Sequence, residues 1–206
     1  QFTFFERGDI VCICGGIGTQ AARRAAQAVI ALYHPALIQS VGFAGALNAS
    51  LHVGDILTPA IVLNARDGSR THIEGGSGML VTFMEVADAA QKEKLGSAYE
   101  AQAVDMEAAA VAAAAAVHGI AFSATKVISD EINFEIPGTA RFITSDGHFR
   151  TASFALFAAM RPWLWMQVAK LALNSGQAAH ALAQHLIIQQ QTLTISGAAQ
   201  AAGDRN

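Results

Sequence analysis

The 206 residues are enough for one domain, or for one domain with a helical extension. They are 52% hydrophobic and 14% charged, apolar enough for a large core, which excludes a disordered chain. The net charge of −3, with Lys and Arg scattered apart from Arg23-Arg24, gives no basic field or aromatic-basic pattern for nucleic acid.

The chain begins at Gln1, inside what reads as a strand or hairpin, so an upstream segment is expected. Phe2 to Phe5 and Ile10 to Cys14 read as short strands joined by the turn Glu6-Arg7-Gly8-Asp9. Cys12 and Cys14 share one face of the second strand, a spacing that suits buried reduced thiols better than a disulfide. Such thiols, and N-terminal residues without the basic-then-apolar pattern of a signal peptide, point to a cytoplasmic protein. Gly15-Gly16-Ile17-Gly18 opens a helix that runs to about Tyr33, with Thr19 as its N-cap, and Pro35 ends it. Ala36 to Phe43 is predicted as a strand buried on both faces, ending in a tight turn at Gly42-Phe43-Ala44-Gly45.

Gly54 to Leu63 is the next strand, and Arg66 to Ser77 is a polar, Gly-rich surface loop or hairpin. Met79 to Phe83 is a short strand, and Asp88 to Tyr99 has helical composition. An Ala-rich helix runs from about Met106 to His118 and stops at Gly119. Its apolar stretch, Ala108 to Val117, is half of the about 20 residues that a membrane span needs. It is a buried helix, and no membrane span is expected. Phe122 to Ile128 is a strand that delivers Ser129-Asp130. Glu131 to Arg150 reads as a loop with some helix, broken at Pro137-Gly138. Phe154 to about Gln190 is helical, interrupted by Pro162, and residues 191–206 are expected to fray as a tail behind a domain of residues 1–190. Strands alternating with helices predict an α/β fold whose central sheet is covered on both faces.

Gly16-Ile17-Gly18-Thr19-Gln20-Ala21 has the G-x-G-x-x-A form of a dinucleotide fingerprint. The acid that should follow at the end of the next strand is missing from Leu37 to Gly42, which argues against a dinucleotide. A tight strand-to-helix turn, with backbone N–H groups open to an anion or ribose, is the better reading. Asp105 and Glu107 flank a helix start. Attraction to the positive helix end accounts for Asp105, whereas Glu107 precedes an unbroken apolar run and faces a partner or a ligand. Asp130 ends an apolar strand, where a carboxylate is costly to bury unless it is paired, protonated or hydrogen-bonded. Ser129 can supply one bond, and capping a following helix is the alternative role. Strand ends are where open α/β sheets hold ligands, and two carboxylates meeting there can do acid chemistry. The seven His are dispersed without metal-ligand spacing, so no metal is expected. Trp163 and Trp165, with Phe154 and Phe157, read as core packing or an oligomer contact. No G-x-S-x-G elbow or Cys/His pair supports acyl transfer.

Taken in order, Gly15-Gly16-Ile17-Gly18, Gly42-Phe43-Ala44-Gly45-Ala46-Leu47, Gly54-Asp55-Ile56, Val104-Asp105-Met106-Glu107-Ala108-Ala109-Ala110 and Ile128-Ser129-Asp130 resemble the purine nucleoside phosphorylase / methylthioadenosine–adenosylhomocysteine nucleosidase superfamily. The similarity covers roughly residues 8 to 132, and its flavour is that of the nucleosidase or hopanoid-associated phosphorylase-like branch. It implies a single three-layer α-β-α domain with a mixed, mostly parallel sheet, assembled as a dimer or hexamer. It implies that Glu107 binds ribose hydroxyls, that Met106 packs on the sugar and that Asp130, beside Ser129, serves purine N7. Phe43, Ala44 and Gly45 would line the site, and Phe83, Glu85 and Val86 would border the base.

Two departures bear on the chemistry. Ser40 stands where phosphorylases place a phosphate-binding arginine, and Phe43 replaces a small hydroxyl residue. Both favour water over phosphate. The glutamate with which nucleosidases activate water belongs to a segment before Gln1, and Glu6 stands in the wrong context to replace it. The resemblance thus implies a purine nucleosidase for an adenosine-type nucleoside with a thioether or hydrophobic 5′ group, needing no cofactor. A phosphorylase or a non-catalytic nucleoside binder is the alternative.

Overall fold

The structure is a computed structural model that describes residues 2–136, 138–144 and 146–203, with side chains to residue 191. Pro137, half of the expected break in the loop, lies outside the described residues. A seven-stranded sheet has the order β4-β9-β3-β8-β7-β5-β6, built from β3 (Leu37–Ala46), β4 (Ile56–Leu57), β5 (Ile61–Asn64), β6 (Arg70–His72), β7 (Met79–Thr82), β8 (Ala103–Asp105) and β9 (Ala121–Asp130). Strands β3/β9, β5/β7 and β7/β8 pair in parallel, and β3/β8, β4/β9 and β5/β6 pair antiparallel. The β3/β9 ladder is the longest and aligns Leu37 with Ala121 through Gly45 with Asp130. A separate hairpin, β1 (Phe4–Arg7) with β2 (Ile10–Ile13), packs Phe4 and Ile13 against the helical layer.

The segment predicted as one strand from Gly54 to Leu63 is two, broken around Pro59, which has no N–H to give a ladder. Strand β4 sits at one edge of the sheet and β5 lies next to the other. Four peptide steps separate Leu57 from Ile61, a reach of about 15 Å at most, while five flat strand spacings need about 24 Å. The sheet therefore curls, and Leu57 and Val62 meet in one buried cluster with Ala44, Leu80, Ala103, Ala108 and Ile128.

Helix α3 (Ala108–Val117) packs against β3, β5 and β9, and α1 (Thr19–Tyr33) packs on α3. Small side chains make this close: Ala22, Ala25 and Ala26 of α1 and Ala112, Ala114 and Ala115 of α3 are all buried. On the opposite face of β7 and β8, Val81 and Val104 pack with Leu95 of α2 (Ala89–Tyr99). After β9 the chain makes a 3-10 turn at Thr139–Phe142, then α4 (Thr151–Ala159), a second 3-10 turn at Pro162–Leu164, and α5 (Trp165–Gly203), which lies against β4 and β9. No helix among the described residues is long and apolar enough to cross a membrane.

Four local expectations need correction. Gly42 to Gly45 is not a turn but the continuation of β3, because extended glycines keep the parallel ladder with β9 intact. That strand is not buried on both faces either: Val41 and Phe43 are exposed, since the layer beside them opens into a cleft. The N-cap of α1 is Gly18 rather than Thr19, whose hydroxyl donates instead to the Met106 carbonyl at 3.1 Å. Cys12 and Cys14 are free thiols but exposed, because the β1/β2 hairpin stands apart from the main sheet. The late aromatic residues divide. Phe154 is buried among Phe142 and Phe149, while Trp163 and Trp165 face outward.

Candidate active site

A cleft of about 450 Å³ opens along the C-terminal half of β3 and the adjoining ends of β8 and β9. Asp130 is the last residue of β9 and reaches the cleft through an irregularity in the ladder. Ala44 pairs with Ile128 but Gly45 pairs with Asp130, so Ser129 is an extra, unpaired residue. A bulge of this kind re-aims the side chain that follows it. The Asp130 carboxylate then lies so close to β3 that a Cβ at position 45 would stand 2.9 Å from Oδ2 and push the carboxylate aside. Ser129 Oγ donates to Asp130 Oδ1 at 2.7 Å, and the buried Lys92 ammonium of α2 pairs with Oδ2.

The two carboxylates at the start of α3 have different work. Asp105, at the end of β8, has the capping role: its Oδ2 accepts from the Ala108 N–H at 2.8 Å, and its Oδ1 accepts from the Thr82 hydroxyl at 2.6 Å. Oδ2 also meets Lys126 Nζ of β9 at 2.9 Å, with both side chains essentially inaccessible to solvent. Glu107 holds the formal N-cap position of α3 but makes no capping bond. Its carboxylate turns to α1 instead, where Oε1 accepts from the Gly18 N–H at 2.7 Å, and Oε2 accepts from the Met106 N–H at 3.2 Å.

Burial pushes the Glu107 carboxyl above its ordinary value of 4.5, and the neighbouring Asp105 charge pushes the same way. The Lys126 ammonium and the Gly18 and Met106 N–H groups offset part of this. A carboxyl raised in the folded state contributes stability that is full below its unfolded value, near pH 4, and is lost as pH rises through the folded value. Glu107→Gln abolishes that titration. Urea melts across about pH 4 to 7 are therefore expected to show the wild type losing stability relative to the variant as pH rises. A difference independent of pH would refute the burial of the Glu107 charge.

Ile143 and Phe149, paired by an antiparallel bridge, line one side of the cleft. Nearby, the Ile17 N–H before α1 donates to the Gly147 carbonyl at 2.8 Å. Gly147 allows this contact, since a Cβ there would stand 2.6 Å from both Ala21 Cβ and the Ile17 carbonyl oxygen.

Of the residues singled out from sequence, Asp130, Glu107, Met106, Phe43, Ala44, Gly45, Ser129, Glu85 and Val86 all line this one cleft. Phe83 does not, and packs instead on the Leu63, Val81 and Leu95 cluster. Glu6 lies on the β1/β2 hairpin, where its carboxylate accepts from the Tyr33 hydroxyl. Lys92 and Lys126 line the cleft and had no assigned role. A lysine inside the apolar strand Ala-Thr-Lys-Val-Ile was a readable signal. Lys92, in the polar stretch Gln-Lys-Glu-Lys, looked like any solvated helix face.

The fold and its elements are shared with solved nucleosidases. A methylthioadenosine/adenosylhomocysteine nucleosidase of Helicobacter pylori, solved with butyl-thio-DADMe-Immucillin-A, aligns over 93% of this chain and 88% of its own, at 16% identity and a TM-score of 0.64. A nucleosidase of the same description from Colwellia psychrerythraea, in complex with adenine, matches 63% of this chain and 74% of its own, at 20% identity and a TM-score of 0.52. A futalosine hydrolase mutant of Helicobacter pylori matches 62% of this chain and 78% of its own, at 19% identity and a TM-score of 0.53. Comparison with curated proteins gives no match. The sequence fits the family model of the Phosphorylase superfamily over residues 2–95 and 82–161, which takes in the hairpin, the sheet and both Glu107 and Asp130, and the chain belongs to that superfamily.

Proposed function

We propose that the protein is a purine nucleosidase that hydrolyses the N-glycosidic bond of an adenosine-type nucleoside. The observation that carries this reading is the charge arrangement of the cleft. Asp130 and Glu107 come to it from different elements, and both lysines lining it are already paired, Lys92 with Asp130 and Lys126 with Asp105. An unpaired cation is the strongest holder of a phosphate dianion, and this lining offers none among the described residues. Buried Ser40 cannot supply one. Water, being neutral, has no such need.

In this reading Asp130 stands at the base and Glu107 at the sugar. Asp130, an anion beside Lys92 in the free protein, first takes a proton from solvent. The C1′–N9 bond then breaks with its electron pair going to the purine, N7 takes that proton from Asp130, and water oxygen bonds to C1′ while its spare proton leaves to solvent. Positive charge on the sugar is stabilised by the Glu107 carboxylate, and the proton from Asp130 neutralises the departing base. The nearby apolar side chains Val41, Phe43, Ile143, Phe149 and Leu171 suit a purine and a thioether or hydrophobic 5′ group. Methylthioadenosine and adenosylhomocysteine are the first substrates to test. No cofactor enters these steps. Outward-facing Trp163, Trp165 and Met166 favour a homo-oligomer, dimer or hexamer, and the free thiols Cys12 and Cys14 suit the reducing cytoplasm.

The test is adenine release from methylthioadenosine, adenosylhomocysteine and adenosine, with and without phosphate. Release without phosphate is expected. Release only in its presence would replace hydrolysis by phosphorolysis, and no release under either condition would favour a nucleoside binder without catalysis.

A further inference from the structure

Among the described residues, Lys92 is the charged group at Asp130 that the reaction above leaves without a part. It lies on the first turns of α2, where a lysine would ordinarily reach water, yet its side chain is 2% exposed. Its ammonium donates to Asp130 Oδ2, to the Glu131 carbonyl at 2.9 Å and to the Phe134 carbonyl at 2.9 Å. Those three acceptors use all three of its protons. The helix that carries it is itself anchored. Asp88 and Gln91 close a capping box, and the Ala89 N–H donates to Glu135 Oε2 at 3.0 Å, on the same loop that Lys92 grips. Lysine 92 therefore ties the carboxylate at the end of β9, the four residues after it and α2 into one rigid unit. On the β3 side that unit rests against Gly45, where a Cβ would stand 3.2 Å from Lys92 Cε.

We propose that Lys92 is the positioning residue of this site, one that acts through Asp130 and decides which of its oxygens delivers the proton. An ammonium can only donate, so Oδ2 is held as an acceptor and the transferable proton belongs on Oδ1. Oδ1 is also the oxygen 2.7 Å from Ser129 Oγ. While Oδ1 carries the proton, the Ser129 hydroxyl turns its own hydrogen toward the Ala44 carbonyl, 3.4 Å away. When Oδ1 gives the proton to N7, the hydroxyl swings back, and the new carboxylate has a donor on each oxygen. The geometry is preorganised for the charge that forms, which is where such donors act most strongly. This inference rests on the reading of Asp130 as the group at the purine.

The test is a double-mutant cycle on adenine release, using Lys92→Met, Asp130→Asn and both together. A positioning role predicts that Lys92→Met lowers kcat by about 10- to 100-fold, the scale of an ångström-sized misplacement, with KM changed by less than about threefold. It also predicts that the double variant is no slower than Asp130→Asn alone. Unchanged kcat in Lys92→Met, or a further full loss in the Asp130→Asn background, would overturn the role of Lys92 while leaving the nucleosidase reading in place. A wild type inactive on every purine nucleoside would overturn that reading and this inference with it. If Lys92→Met does not fold, Lys92→Arg serves, since it keeps the charge and changes the reach. A fall in kcat at constant KM supports positioning, and an unchanged kcat refutes it.

Discussion

Replacing Asp130 with Asn is expected to lower kcat/KM for a purine nucleoside by about 10²- to 10⁴-fold, the usual worth of a general acid. The amide keeps the shape of the carboxylate and can still accept from Lys92 or Ser129, so the fold is retained. It cannot deliver a proton to N7. Some stability goes with the charge, because Lys92 exchanges an anion for a neutral acceptor deep in the protein. The loss is expected at about 1–3 kcal/mol, toward the lower end because the Asp130 side chain is 24% exposed and partly screened by water. Steady-state rates measured beside urea melts separate the two effects. A folded variant as fast as the wild type would remove Asp130 from the mechanism.

Lys126→Met is expected to produce the largest loss of stability, about 3–5 kcal/mol. The Lys126–Asp105 pair is 1% and 0% exposed, so removing the cation leaves a buried carboxylate with, among the described residues, the Thr82 hydroxyl and the Ala108 N–H as its donors. The same carboxylate caps α3 and faces the Glu107 charge, so the strain falls on the residues that open the cleft. Adding Asp105→Asn should recover much of the loss, because the penalty belongs to an unpaired charge rather than to missing packing. The urea midpoint measures both variants. An unshifted midpoint in Lys126→Met would show that the pair contributes nothing to holding the core.

Most elements were legible as sequence because their signals are local. The apolar run ending in Ile128-Ser129-Asp130, the Asp88 start of α2 and the Gly119 stop of α3 each declare themselves within a few residues. Short Ala103–Asp105 was missed as a strand, since three residues carry no period and its pairing partners are distant in the chain. The Gly42 to Gly45 segment misled for a related reason. Glycine permits a turn, but a ten-residue strand with a continuous parallel partner holds it extended.

The α/β class and the superfamily could be read from the chain alone, which also singled out Glu107 and Asp130, two carboxylates that the fold brings to one cleft. Residue type and short spacing suffice for those. The helix-end role read for Asp105 is the one it has, but that Glu107 is spent on the Gly18 N–H and that both lysines of the cleft are already paired emerges only in the folded chain. Spacing along the chain cannot reveal this, because Lys92 and Asp130 are 38 residues apart and Gly18 and Glu107 are 89 apart. It takes the curled sheet, the Ser129 bulge and the close approach at Gly45 to bring such groups within hydrogen-bond reach. Desolvation there then makes each pairing matter.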